Sequence, residues 1–267
     1  MNIDLEQLSQ LVISACKTEL IPRFNLVERQ YKTDGSIVTE ADLAMQRQLV
    51  TQLQLAYPNV GFLGEEMTLE QQQTLLSSGQ SLWCVDPVDG TSNFAAGFPY
   101  FCVSLALIEH NQITLGLVYD PIHDDCFIAQ KGKGASLNGH RLSSLDTGLS
   151  LKQSIALIDF KRLPHELASR IVTDVPYGSQ RSLGSIALEL CWIAAGRGHI
   201  YLHAKQHLWD YAAANLILTE AGGFVCTLDG ETVFNNTLKP RSALAACDRH
   251  LFDSWSHYLN VSITDDR

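Results

Sequence analysis

The most constraining stretch of this sequence is WCVDPVDGTSNF, which runs from Trp83 to Phe94. A short apolar run leads into two aspartates, Asp86 and Asp89, and the polar residues that follow are typical of a turn that opens a helix. Apolar residues that end at an aspartate predict a buried strand with a charged tip. Carboxylates at a strand end suit hard divalent cations, and the backbone N–H groups of a helix start suit phosphate. The stretch therefore predicts a site where metal ions and a phosphate meet.

Composition limits the classes of function. The chain has 267 residues and a formal net charge of -10, which argues against a broad nucleic-acid-binding surface. Its first residues are not a basic leader followed by an apolar stretch, and no apolar run approaches the length that crosses a bilayer, so a cytoplasmic location is expected. The 7 cysteines are scattered and odd in number, which argues against a disulfide framework or a structural zinc site.

Periodicity and turn residues predict elements of both kinds. In the first part of the chain we expect a helix over 3–20, a polar mobile loop over 31–36, a second helix over 39–57 and a glutamine-rich surface connection over 67–79. An antiparallel meander is expected over 101–138, with a hairpin turn at KGKG, 131–134. Lys32 in the polar loop has two open interpretations: it approaches an anion, or it is a solvated surface lysine. In the second part we expect a strand over 155–158, a polar segment over 159–177 and a helix over 186–195. A strand over 200–202 and an alanine-rich helix over 210–221 follow, and then two weak strands over 224–225 and 244–245.

Four acids stand at the edge of an apolar run or at a helix start: Glu65, Asp86, Asp89 and Asp210. Buried carboxylates repel one another, so such a group persists only if cations bind or protons are taken up. Oxygen ligands select magnesium, manganese or calcium over zinc. The backbone carbonyl of Val88 offers a further neutral oxygen. The four acids therefore predict a site for hard divalent cations.

The residues after the second aspartate suit phosphate-ester hydrolysis. The amides of Gly90 and Thr91 can bind a phosphate without side-chain charge. The Thr91 hydroxyl, if linked to a carboxylate such as Asp42, can position and deprotonate a water. Thr39-Glu40-Ala41-Asp42 also matches a capping box, so Asp42 has two open interpretations: it caps the second helix only, or it also works with Thr91.

These residues resemble the inositol monophosphatase family, the magnesium-dependent, lithium-sensitive phosphomonoesterases. The resemblance covers roughly residues 31–225 and rests on four motifs in the same order. They are Gly64-Glu65-Glu66; the central stretch that contains Asp86; Trp209-Asp210; and Glu220-Ala221-Gly222-Gly223. It implies metal ligation by Glu65, Asp86, the Val88 carbonyl, Asp89 and Asp210. It also implies that Asp42, Thr91 and Glu65 are catalytic, and it favours the functional interpretation of Asp42.

The resemblance implies a layered α-β-α-β-α sandwich of the sugar-phosphatase type. We divide it into an N-terminal α+β half, 1–145, with most of the metal ligands, and a C-terminal α/β half, 146–267, with Asp210 and the specificity residues. It further implies more than one Mg²⁺ ion per site, with Mn²⁺ as a substitute and Ca²⁺ and Li⁺ as inhibitors, a small-molecule phosphate ester as substrate, and a homodimer.

One position departs from the family. Inositol-hydrolysing members have a glutamate seven residues before the Trp-Asp aspartate, and His203 stands there in this chain. Gly184 and Ser185 correspond to the family's substrate-contacting turn. A histidine cannot accept from two hydroxyls as a carboxylate does, so either the substrate is not an inositol phosphate or another residue does that work. A third interpretation is that His203 faces solvent.

We therefore expect magnesium-dependent hydrolysis of a small phosphate monoester, inositol-1-phosphate-like, by water that the metal activates. Two alternatives stay open. One is a sister specificity for histidinol phosphate, a sugar bisphosphate or a nucleotide 3',5'-bisphosphate. The other is a regulatory binding protein that retains the phosphatase fold, since some bacterial relatives are implicated in transcription complexes.

Overall fold

A computed structural model describes residues 3–32, 35 and 37–263. This part of the chain contains eight α-helices: α1 (Leu5–Ala15), α2 (Glu40–Ala56), α3 (Leu69–Ser77), α4 (Thr91–Ala96), α5 (His165–Thr173), α6 (Ile186–Ala194), α7 (Leu208–Glu220) and α8 (Arg249–Leu259). Its strands are β1 (Gln30–Tyr31), β2 (Ile37–Val38), β3 (Gly61–Gly64), β4 (Leu82–Asp89), β5 (Cys102–Glu109), β6 (Gln112–Asp120), β7 (Asp125–Gln130), β8 (Gly134–Leu137), β9 (His140–Leu142), β10 (Ile155–Ile158), β11 (Ser179–Arg181), β12 (Ile200–Gln206), β13 (Phe224–Cys226) and β14 (Arg241–Ala246).

Two large sheets dominate the molecule. The first has seven strands in the order β3-β4-β5-β6-β7-β8-β9, and only β3 and β4 pair in parallel. The second has five strands in the order β11-β10-β12-β14-β13, with β10 parallel to both neighbours and β14 antiparallel to both of its own. β1 and β2 form a separate hairpin.

Helices cover these sheets in alternating layers. α1 and α2 contact strands of the seven-stranded sheet, α6 and α7 contact strands of both sheets, and α8 contacts the five-stranded sheet. α7 is buried on nearly every side, as expected for a helix that is apolar all round and lies between two sheets. The predicted α-β-α-β-α layering is confirmed.

The middle layer packs closely on the seven-stranded sheet because small residues face each other there. Gly116 of β6 lies against α7, and a Cβ atom at Gly116 would stand 2.5 Å from the carbonyl oxygen of Ala213. A side chain at Gly116 would therefore push α7 away from the sheet.

The predicted antiparallel meander is confirmed. His110 and Asn111, with φ of 51° and 57°, form the two-residue turn between β5 and β6. The turn at Lys131 to Gly134 joins β7 and β8, as the hairpin interpretation required.

One predicted connection is wrong, and one polar segment contains a helix that was not predicted. The glutamine-rich segment 67–79 contains helix α3, which starts with a capping box in which Thr68 Oγ1 accepts from Gln71 N at 3.3 Å and Gln71 Oε1 accepts from Thr68 N at 3.0 Å. The polar segment 159–177 contains α5. The apolar residues Leu167, Ala168 and Ile171 stand at helical spacing within α5, and Ile171 is buried.

Some expectations remain open. The predicted mobile loop, 31–36, includes Thr33, Asp34 and Ser36, which lie outside the described residues. The proposed division near residue 145 stays a prediction. None of the helices among the described residues is long and apolar enough to cross a membrane.

Candidate active site

Asp42 is fully buried at the start of α2 and has partners on both carboxylate oxygens. Its Oδ2 accepts hydrogen bonds from the amide and the hydroxyl of Thr39, at 2.8 and 2.6 Å, which caps the helix. Its Oδ1 accepts from Thr91 Oγ1 at 2.9 Å, across 49 residues of sequence. Burial raises the pKa of Asp42, although these hydrogen bonds oppose the shift. Asp42 therefore caps α2 and contacts Thr91 at the same time.

The end of β4 presents both motif aspartates to one side of the molecule. The pairing of β4 with β5 shifts register between Asp86 and Asp89, and Pro87 within the shift has no N–H to donate. The Val88 amide donates to Asp86 Oδ1 at 2.9 Å, and Thr91 Oγ1 lies 3.0 Å from the Val88 carbonyl oxygen. The strand therefore continues to Asp89, three residues beyond the tip expected at Asp86.

Gly90 forms the tight step from β4 into α4. Its φ is 100°, and a Cβ atom there would lie 3.1 Å from the carbonyl oxygen of Tyr100. A left-handed conformation and a close backbone neighbour both require glycine at this position. Gly90 therefore lets α4 begin at Thr91, so that the first turn of the helix lies directly beside Asp89.

Three of the four predicted acids, Asp86, Asp89 and Asp210, are buried, Glu65 is partly exposed, and the charges of the four act on one another. Burial raises the pKa of Asp86 well above its usual value, and the charges of Glu65, Asp89 and Asp210 raise it further. Burial, followed by the charges of Asp89 and Glu65, does the same to Asp210. Burial also raises the pKa of Glu65 to about 7. The structure thus brings together acids from β4, from α7 and from the residue that follows β3, and a bound cation would relieve their mutual repulsion.

Lys32 forms ion pairs with Glu65, one of the four acids, and with the neighbouring Glu66. Its Nζ lies 2.9 Å from Glu65 Oε1 and 2.7 Å from Glu66 Oε1, so the interpretation of Lys32 as a solvated surface lysine is wrong. Among residues 3–32, 35 and 37–263, no group of three or more His, Cys, Asp or Glu side chains is already arranged around one point as metal ligands. The donor chemistry still fits a hard divalent cation, since the group consists only of carboxylate and carbonyl oxygens.

Two of the acids accept hydrogen bonds that fix their carboxylates, Asp89 from another element and Asp210 from the cap of its own helix. Asp89 Oδ2 accepts from Ser185 Oγ at 2.7 Å and from the Ala187 amide at 2.6 Å, which ties β4 to the start of α6. Asp210 Oδ2 accepts from the His207 amide at 2.7 Å, which caps α7. Ser185, predicted to contact substrate, therefore contacts an acid of the cluster.

Two residues that the sequence did not single out hold the turn before α6. Asn93 Nδ2 donates to the carbonyl oxygens of Leu183 and Tyr100, at 2.6 and 2.7 Å. Glu189 Oε1 accepts from the amides of Leu183 and Gly184, at 2.6 and 3.1 Å. Burial raises the pKa of Glu189 to about 8. Glu189 is the single acid inside the apolar run of α6, and this pattern in the sequence could have indicated that it has a specific role.

A third missed residue supports Glu65. Gln72 of α3 is buried, and its Nε2 donates to the carbonyl oxygens of Gly64 and Glu65, at 2.9 and 3.2 Å. The capping pattern from Thr68 to Gln71 could have predicted helix α3, which places Gln72 beside the backbone of Glu65.

His203 is buried, so the interpretation that it faces solvent is wrong. Its Nε2 lies 3.1 Å from Asp159 Oδ2, and its Nδ1 accepts from the Lys205 amide at 3.2 Å. Both ring nitrogens are therefore engaged by the protein, and the imidazole has no further nitrogen with which to bind substrate hydroxyls.

A cavity of about 150 Å³ opens beside the acids. Gly184, with φ of 83°, lies in its wall with Ser185 and His203, so the three predicted specificity residues face one space. The other lining residues come from the carboxyl ends of β4, β10, β11 and β12, from the segments that follow β10 and β11, and from the starts of α6 and α7: Asp89, Asp159, Arg162, Ser182, Ile186, Glu189, Lys205, His207 and Asp210.

The alternating layers, with buried acids around the start of α4, define a phosphatase-type fold of the inositol monophosphatase kind. The model of the Inositol monophosphatase family matches residues 4–259, and the chain belongs to this family. Its members are mostly phosphomonoesterases and are typically magnesium-dependent.

Individual relatives agree with this assignment. The chain is 31% identical to bovine (Bos taurus) inositol monophosphatase 1 over 231 residues, which cover 84% of this chain and 80% of that protein. It is 34% identical to the Nus factor SuhB of Xylella fastidiosa over 203 residues, 74% and 72% of the two chains. The structure of a Thermotoga maritima IMPase superimposes with a TM-score of 0.83 at 28% identity, covering 96% of each chain.

Proposed function

We propose that this protein hydrolyses a small phosphate monoester, inositol-1-phosphate-like, in a magnesium-dependent reaction. The observation that carries the proposal is the contact of 2.9 Å between Thr91 Oγ1 and Asp42 Oδ1, which lies at the start of α4 beside the group of buried acids. Membership of a family of mostly phosphomonoesterases supports it.

The metal ligands in this proposal are Glu65, Asp86, the Val88 carbonyl, Asp89 and Asp210, a set large enough for more than one ion. Magnesium, when bound, neutralises charge on the phosphoryl oxygens and makes a water more acidic. Manganese would serve in its place, and calcium and lithium would inhibit.

The protein's own residues then position the substrate and move a proton. The first amides of α4 have no intrahelical partners, so Gly90 and Thr91 are suited to hold phosphate oxygens. A water oxygen attacks phosphorus as one of its protons passes to Thr91 Oγ1 and Thr91 gives its own proton to Asp42 Oδ1. The ester P–O bond breaks, the departing alkoxide oxygen takes a proton from solvent, and Asp42 then returns its proton to solvent. Burial raises the pKa of Asp42, which makes it a better proton acceptor than an exposed aspartate.

The test is magnesium-dependent phosphate release by Asp89→Asn and Asp210→Asn variants. Each variant removes one anionic ligand without changing side-chain size, so we expect both to lose release while remaining folded by circular dichroism. Asp120→Asn is the matched control, because Asp120 is equally buried but its carboxylate is held by the Ile122 and His123 amides outside the cavity. Near-normal turnover in both Asn variants would overturn the proposal.

A substrate panel narrows the specificity. Phosphate release is measured from inositol 1-phosphate, histidinol phosphate, fructose 1,6-bisphosphate, adenosine 3',5'-bisphosphate and glycerol 2-phosphate, with and without lithium. The sister specificities and lithium sensitivity are decided by this panel. The homodimer and the cytoplasmic location stay predictions.

A binding or regulatory role is the second candidate, and the 34% identity to a Nus factor SuhB is the observation in its favour. Caps alone do not require several acids whose charges raise one another's pKa values, and this costly arrangement favours the enzyme. Isothermal titration with candidate protein partners, beside the turnover assay, separates the two roles.

A further inference from the structure

The lining of the cavity includes two cations, Arg162 and Lys205, and both side chains are exposed. Within the part of the chain that the structure describes, neither the Arg162 guanidinium nor the Lys205 ammonium forms an ion pair or a side-chain hydrogen bond. The charge of Arg162 acts on Asp159 and Asp210 only at longer range, where it acts to lower their pKa values against the effect of burial. Both cationic groups therefore remain available for close contact with a ligand in the cavity.

One carboxylate of the cavity wall partly balances these cations. Asp159 Oδ2 lies 3.1 Å from His203 Nε2, and Asp159 Oδ1 accepts from the Lys161 amide at 2.8 Å. The pKa of Asp159 is lowered, because the contact with His203 and the charge of Arg162 outweigh its burial, so this carboxylate keeps its negative charge. Glu189 Oε1 accepts from two backbone amides, and burial favours its uncharged form. Two cations thus face one charged carboxylate on this wall, which leaves one positive charge unbalanced there.

His203 fixes the two segments that carry the cations. The Lys205 amide donates to Nδ1, so Nδ1 carries no proton and the ring is in the tautomer that donates from Nε2 to Asp159. One imidazole therefore holds the backbone at Lys205 and the side chain at Asp159, three residues before Arg162. A carboxylate at position 203 could not donate to Asp159, so the family's glutamate is incompatible with this wall.

We propose that the cavity takes a phosphate monoester that bears a second anionic group, and that Arg162 and Lys205 bind this group. This deepens the proposed function and rests on it. A neutral polyol would leave both cations unused, whereas a carboxylate or a second phosphate accepts from the planar guanidinium and from the ammonium. His203 is a positioning residue in this arrangement.

The test compares substrates that differ by one anion. Glycerol 3-phosphate and 3-phosphoglycerate share a three-carbon skeleton and differ in a terminal hydroxymethyl or carboxylate group, and fructose 1-phosphate and fructose 1,6-bisphosphate differ in a second phosphate. For the wild type, we expect kcat/KM to be about tenfold higher for at least one anion-bearing member than for its partner. The pair with the larger ratio identifies the anion as carboxylate or phosphate.

Variants connect the ratio to the two cations. Arg162→Gln and Lys205→Gln should each reduce it several-fold, and the double variant should bring it close to one. Lys161→Gln is the matched control, since it removes a neighbouring exposed cation that does not line the cavity, and it should keep the ratio. Raising the ionic strength should reduce the wild-type ratio because exposed charges are screened.

The outcomes separate this inference from the proposed function. A wild-type ratio near one for both pairs, or a ratio that survives in the double variant, overturns the second-anion site while phosphatase activity stands. If no substrate releases phosphate, the proposed function fails. The second-anion site is then tested by binding: the same compounds are titrated in the presence of magnesium, and the ratio of the Kd values within each pair replaces the ratio of kcat/KM. Equal Kd values within each pair would then overturn the site.

Discussion

Glu189 provides a stability test that does not depend on catalysis. It is 2% exposed, and burial raises its pKa from 4.5 to about 8. A carboxyl whose folded pKa lies above its unfolded pKa favours the fold when protonated, so its contribution is present at low pH and is lost as the pH rises from 4.5 towards 8. The loss amounts to about 1.4 kcal/mol per pH unit, which gives roughly 3 kcal/mol between pH 5 and pH 7 as an upper value.

Replacement by Gln removes the titration and keeps the acceptor oxygen for the Leu183 and Gly184 amides. We therefore expect Glu189→Gln to approach wild-type stability near pH 5 and to exceed it increasingly towards pH 7. The assay is urea unfolding of the metal-free protein at several pH values, with the difference between the two proteins as the measured quantity. The other buried acids also titrate, but they do so in both proteins.

Glu70→Gln is the matched control, because Glu70 is an exposed acid of α3 and should shift the curve little at any pH. If the free-energy curves of the wild type and Glu189→Gln run parallel between pH 5 and pH 7, then Glu189 is not held protonated by burial and the reasoning is refuted.

Three further outcomes follow from particular contacts. Thr91→Val removes the hydroxyl that donates to Asp42 and should lower kcat about 100-fold, with recovery in Thr91→Ser; a Val variant within threefold of wild type would refute the proton path. Lys32→Gln removes the ammonium that pairs with Glu65 and should tighten magnesium binding in a calorimetric titration, whereas weaker binding would show that the two cations do not compete. Gly116→Ala should destabilise the protein by about 1–3 kcal/mol in urea unfolding, since the new Cβ would stand 2.5 Å from Ala213 O, and an unchanged midpoint would contradict the close packing of α7.

The parts of the site that sequence could predict are those encoded by neighbouring residues. The pattern from Thr39 to Asp42 predicted a helix start, and the structure shows the reciprocal hydrogen bonds of that cap. The step from β4 into α4 was also predicted, because Gly90 and three polar residues follow the aspartates directly, although Gly90 itself is the N-cap and no side chain caps α4. Periodicity gave only a mixture of helices and strands, and the order of layers followed from the resemblance.

Contacts across long sequence separations could not be predicted in this way. Asp89 and Ser185 are 96 residues apart, and their hydrogen bond exists only because α6 packs beside the end of β4. The pairing of His203 with Asp159 likewise depends on β10 lying parallel to β12. Local pattern carries no information about which strands become neighbours, so His203 could be recognised as unusual but not connected to its partner.

The position of His203 also explains how substrate choice can change while the acids stay in place. β12 pairs regularly with β14 up to His203, opposite Ala243, and the register then shifts before Gln206. Lys205 lies within this irregularity, where the hydrogen-bond ladder is interrupted and a side chain can be re-aimed without disturbing the sheet. The acids, in contrast, are fixed by β4 and by the caps of α2 and α7, which also hold the layers together. Under the proposed function, a substitution in the wall should therefore alter which alcohol is accepted, whereas a substitution among the acids should remove the chemistry itself.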